Sequence, residues 1–258
     1  MTSRLSAITW NTFREAVRDR ILYNLVLFVL LLVASAPLFS QISIGLEKLM
    51  LVNVGLSSIS LFGVIIAIFV GIGLVSKEIE KKTLYTILSR PVRRWEFIAG
   101  KYLGLLLTLV VNTALMTVGF YVALLIFINR LKSADAMLLV AVYFIVLQFM
   151  MMVAITLLFS TFSTPIFSAI FAFALYVIGT FGEDLKNFAA ISQGVTKWLA
   201  MGAAYVMPNF ASLNVISQAA HEQSVSSGLI LSNTVYALLY SLAVTVAAVM
   251  VFERRNLK

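Results

Sequence analysis

The sequence predicts an all-α polytopic membrane protein. Its expected parts are six transmembrane helices, an N-terminal amphipathic interface helix, a basic segment between spans 2 and 3, and short extracytoplasmic helices between spans 5 and 6. Three observations carry this prediction. Of 258 residues, 61% are hydrophobic and 12% charged, which lies outside the range of soluble globular domains. Six apolar stretches reach or approach the roughly 20 residues needed to cross about 30 Å of hydrocarbon as helix, and none alternates in the manner of a membrane barrel strand. The 19 Lys and Arg residues are spread unevenly over the segments joining those stretches.

In residues 1–20, Leu5, Ile8, Phe13, Ala16 and Val17 recur at helical spacing opposite Arg4, Asn11, Glu15 and Arg18. This pattern suits a helix lying in the membrane interface. Ala34-Ser35-Ala36 has the small residues of a signal cleavage site, but the amphipathic start and Pro37 argue against cleavage. Spans are expected at 21–40, 54–75, 104–128, 137–160, 165–181 and 229–252, the fifth being short. The stretch Phe188 to Met207 nearly has the length of a seventh span. Gln193 and Lys197 interrupt it and Pro208 ends it, so 182–228 is read as an extracytoplasmic loop with short interfacial or re-entrant helices. The whole chain, 1–258, is read as one membrane domain.

Charge sets the orientation. The first 20 residues, segment 76–103 and the tail after Phe252 hold 14 Lys and Arg, against 5 in the three other connections. Positively charged connections stay in the cytoplasm, so both termini and 76–103 are expected there, in the inner membrane of a bacterium or archaeon, with an even number of spans. The net charge of +8 then reflects topology and contact with lipid headgroups rather than nucleic acid.

Several chemistries are excluded. The chain has no cysteine and a single histidine, His221, so thiolate or imidazole metal clusters cannot form. The predicted span interiors lack ionisable residues, which disfavours a proton-driven transporter. Asn112, Gln148 and Asn233 are the notable polar residues within spans and are expected to join helices. Met150-Met151-Met152 cannot converge on one ion, because consecutive helical residues point about 100° apart; packing explains them better. Glu47, Asp135, Glu183, Asp184 and Glu222 are scattered over three loops and suggest no acid–base site. No Gly-rich phosphate loop is present, so the chain by itself is expected not to hydrolyse ATP.

Segment 76–103 carries the strongest local signal. Glu78 precedes Lys82 by four residues, the favourable order for a helical ion pair, and Leu84, Ile87 and Leu88 form an apolar edge beside Tyr85. Pro91 ends that helix, Arg90, Arg93 and Arg94 surround it, and Trp95 is placed to anchor at the headgroups. Gly100 and Gly104 make a close-approach face where the third span begins. The alternative is an ordinary basic loop with snorkelling arginines.

Lys77-Glu78, Lys82-Thr83-Leu84, Leu88-Ser89-Arg90-Pro91-Val92-Arg93-Arg94, Glu96 and Gly100-Lys101 together resemble the cytoplasmic signature of the type 2 ABC exporter permeases. The whole chain is similar to the single-domain, six-span members associated with copper-enzyme maturation and with sodium or drug efflux. Lys82 departs from the pattern, since many members have Gly before the Thr.

The resemblance implies a transmembrane subunit paired with a second permease, identical or paralogous, and with two cytoplasmic ABC ATPase subunits. ATP and Mg would then be bound by the ATPase, with no cofactor in this chain. A coupling helix, Glu78 to Leu88, would enter a groove of the ATPase through Glu78, Lys82, Thr83, Leu84, Tyr85 and Leu88, with Arg90, Pro91 and Arg93 completing the contact. Arg14 and Arg18 would supply a second contact. Substrate would pass between the two permeases along spans one, two and five. The same parts would also serve a non-transporting subunit that relays ATPase motion to a periplasmic partner.

Overall fold

A computed structural model describes residues 2–18, 27, 28, 31, 47–80, 93–128 and 133–254. The described residues are helical throughout, apart from turns, and contain no strand. The helices are α1 (Thr2–Arg18), α2 (Glu47–Glu80), α3 (Arg94–Ile128), α4 (Met137–Phe162), α5 (Pro165–Thr180), α6 (Gly182–Ile191), α7 (Gly194–Val206), α8 (Ile216–Ala220) and α9 (Ser227–Arg254). Two 3-10 turns, Ser133–Ala136 and Ala211–Leu213, lie between them.

Four of these helices, α2, α3, α4 and α9, are long and apolar enough to cross a membrane, and the bent pair α5–α6 makes up to five. Of the first expected span, 21–40, only Leu27, Phe28 and Leu31 are described, and Phe28 is buried in the main core. The five other spans fall on the long helices or α5, but two boundaries move. Helix α2 starts at Glu47 and continues to Glu80, and α3 starts at Arg94 rather than at 104. Residues 94–103 are therefore the first turns of a 35-residue helix, not loop. Hydropathy marks where a helix sits in hydrocarbon; hydrogen bonding carries it on into the polar region.

Helix α4 is the centre of the bundle, packed against α2, α3, α5 and α9. Phe144, Phe149, Met151 and Met152 are buried on it, so the methionines serve as packing. Gly55 of α2 receives the Phe120 ring of α3, and Gly63 receives the Phe149 ring of α4. With Gly71 against Leu105 and Thr156, these contacts fix α2 antiparallel to α3 and parallel to α4. Without a hydrophobic force between helices in lipid, such small-residue faces set the register.

The polar residues within spans behave unequally. Gln148 joins α4 to α2, donating to Ser60 Oγ at 3.2 Å. Asn233 donates to the carbonyl of Ser212 at 3.1 Å and so ties α9 to the preceding loop. Asn112, 1% exposed, joins no helix: its Nδ2 lies 3.6 Å from Met116 Sδ on its own helix and its Oδ1 has no partner.

Stretch 188–207 is not one helix. Helix α6 ends at Ile191 and α7 starts at Gly194, whose φ of 64° requires glycine at that corner. The two pack on one another, and α7 stops just before Pro208.

Candidate functional site

The first turns of α3 bring three helices together. Arg93 precedes α3, and its backbone N–H donates to Glu96 Oε2 at 3.0 Å, so the carboxylate closes an otherwise unpaired helix start. Arg94 reaches the other way. Its Nη1 donates to the carbonyls of Phe252 at 3.2 Å and Glu253 at 2.7 Å, capping the C-terminal end of α9. The rings of Phe97 and Phe252 stack below that contact at 5.7 Å. Ile98 and Ala248 complete this small buried cluster.

One turn further, α1 crosses α3 at very short range. A Cβ at Gly100 would lie 2.5 Å from Ile8 Cγ2, and one at Gly104 2.5 Å from Thr12 Cβ. The close-approach face read from the sequence is thus occupied, and α1 occupies it. The stripe of α1 turned toward α3 is Ile8, Thr12 and Ala16, whereas Val17, expected on the apolar face, is exposed with Trp10. Thr and Ala let the backbones meet where larger side chains would hold them apart.

Lys101 lies between the two glycines and is 2% exposed, although the sequence placed it in the basic segment outside the third span. Its Nζ is 3.5 Å from Glu15 Oε2 on α1 and 5.7 Å from the Phe97 ring centre. Burying an ammonium is costly unless it is paired; here the exposed Glu15 carboxylate and the Phe97 ring lie beside it.

Of the other residues singled out in the sequence, Arg14, Arg93 and Trp95 are exposed at this end. Lys82, Thr83, Leu84, Tyr85, Leu88, Arg90 and Pro91 lie outside the described residues, as do the side chains of Glu78 and Arg18. The roles of Glu15, Glu96 and Lys101 were missed as a set, since nothing local in the sequence says that positions 15 and 101 meet.

The opposite end has its own polar cluster. Lys48 Nζ at the start of α2 is 2.6 Å from Asp135 Oδ1 and 2.8 Å from Glu222 Oε1, joining three connections that are far apart in sequence. Tyr121 of α3 donates to the Asp135 carbonyl at 2.8 Å. Beside this end, a notch of about 150 Å³ opens between α2, α4 and α5, with Ser57, Ser60, Gln148 and Thr180 in its lining. The Phe210 N–H donates to the Gly179 carbonyl at 3.0 Å and seats the loop over it. Among the described residues, no group of His, Cys, Asp or Glu could hold a metal ion.

The profile of the ABC-2 family transporter protein matches residues 6–257. The chain belongs to the ABC-2 transporter family. No curated protein matches it. With its apolar helices, this ABC-2 chain is an integral membrane protein and an ABC transporter permease, and the permeases of this family are membrane transport components. Permeases of this family generally work with an ATPase subunit.

Proposed function

We propose that this ABC-2 chain is the transmembrane subunit of an exporter, driven by two cytoplasmic ATPase subunits and paired with a second permease. The observation that carries the reading is the family match over residues 6–257, together with a basic segment that leads directly into the interlocked start of α3. Residues 78–91 dock on the ATPase, with Arg93 beside them and Arg14 and Arg18 as a second contact. Trp95 holds the helix start at the headgroups.

Both ends of the described chain meet at the start of α3, whereas Lys48 at the start of α2 sits beside Asp135 beyond the far end of α3. A crossing in 21–40 follows from this reading, giving six spans, with both termini and 76–103 in the cytoplasm. Substrate passes between the two permeases along spans one, two and five. The uncharged polar notch between α2 and α5 supports that path.

The test is co-expression with a cognate ATPase. The complex is expected to co-purify and hydrolyse ATP, while the isolated permease hydrolyses none. Hydrolysis by the isolated chain would overturn the assignment.

A further inference from the structure

We propose that Lys101 and Glu15 are positioning residues that lock α1 to α3, so that the two helices move as one body when the ATPase acts. The proposal rests on the permease reading and adds a task for Glu96, Gly100 and Lys101, the last part of the basic signature: they hold helices of this chain together and do not touch the ATPase.

Two independent contacts join α1 to α3, and a third fastens the start of α3 to the end of α9. At Gly100 and Gly104 there is no clearance, since even a methyl group would collide with Ile8 and Thr12. Above that face the Lys101 ammonium is buried and faces the Glu15 carboxylate at 3.5 Å. A buried charge penalises every register that separates it from its partner, so the pair specifies position more than it adds stability. At the same helix start, Glu96 fixes the first turn through the Arg93 N–H, and Arg94 fastens that turn to the Phe252 and Glu253 carbonyls. Helix α1, the start of α3 and the end of α9 thus form one block. A push delivered through residues 81–92 or directly to α1 reaches the same body, because packed elements pass on rigid displacement rather than bending continuously.

The absence of native cysteines permits a direct test. Glu15→Cys and Lys101→Cys are combined, and the complex with its ATPase is assayed before and after bridging with a short bis-thiosulfonate reagent. Without the bridge, ATPase retention should stay near wild type while ATPase stimulation falls about tenfold; the covalent bridge should restore stimulation. The charge exchange Glu15→Lys with Lys101→Glu should recover most of what either single change loses. Full stimulation in the unbridged double variant, or loss of activity on bridging, overturns the lock.

A second measurement works without the ATPase. In the purified chain, Glu15→Gln should speed backbone hydrogen exchange in residues 2–18 by about tenfold while α4 stays protected. Unchanged exchange in α1 overturns the lock even if the complex is active. If the wild-type chain neither retains nor stimulates an ATPase, the permease reading fails, and this exchange result still decides the lock.

Discussion

Arg94 donates to the carbonyl of Glu253 at 2.7 Å across 159 residues of sequence, so the helix that ends the described chain is capped by the first residue of α3. The last carbonyls of a helix have no partner of their own, and a guanidinium also meets the negative end of the helix dipole. Arg94→Met should therefore cost about 1–2 kcal/mol. Thermal unfolding in detergent checks the loss, and protease cleavage near residue 254 should increase. Arg93→Met, at an exposed side chain, should change neither.

Gly63 lies under the Phe149 ring, where a methyl group would strike three ring carbons. Gly63→Ala should destabilise the protein by about 1–3 kcal/mol through overpacking. Phe149→Leu in the same chain should recover part of that loss, which a double-mutant cycle would measure. Simple addition of the two losses would mean that the contact does not set the α2–α4 packing.

At the far end, Lys48 bridges a carboxylate that is almost wholly buried, Asp135, and one that is exposed, Glu222. Lys48→Met should cost about 2 kcal/mol, because it weakens the partner set of a buried charge, whereas Glu222→Gln should cost less than about 1 kcal/mol. Unfolding midpoints of the two variants rank the contributions.

Topology can be read with single cysteines in this cysteine-free chain. Under the orientation proposed above, Ser89→Cys stays unlabelled by an impermeant thiol reagent in intact cells, and Gln223→Cys is labelled. The opposite pattern would invert the molecule.

For the docking segment, Glu78→Lys and Tyr85→Ala should each weaken ATPase binding by about thirtyfold while all spans still insert, since loss of an interface anchor commonly costs about 2 kcal/mol. Arg93→Ala should do less, because a rim charge mostly tunes association. Partner retention and ATPase stimulation are the readouts. Wild-type coupling in both anchor variants would leave the segment an ordinary basic loop.

The sequence by itself determined the elements whose cause is local. Apolar runs of this length form helix wherever they occur, so the cores of α2, α3, α4, α5 and α9 lie where hydropathy put them, although α2 and α3 extend beyond those bounds. The corner at Gly194 was not read from the sequence, which placed the interruption at Gln193 and Lys197, whereas Pro208 was legible as the end of α7 because a missing N–H is a property of a single residue. The N-terminal helix and the close-approach glycines were legible for the same reason. What those glycines approach was not legible, nor was the stripe of α1 turned toward them, because a glycine face fits any neighbour with small side chains. Only the tertiary structure decided that Lys101 meets Glu15, that Arg94 caps α9, and that Lys48 holds Asp135 and Glu222. Each of these pairs charged or polar groups 86 to 174 residues apart. Charge alone selects no partner among 19 cations and 11 acids; the packing of the helices brings one pair within reach and leaves the others to solvent or lipid headgroups.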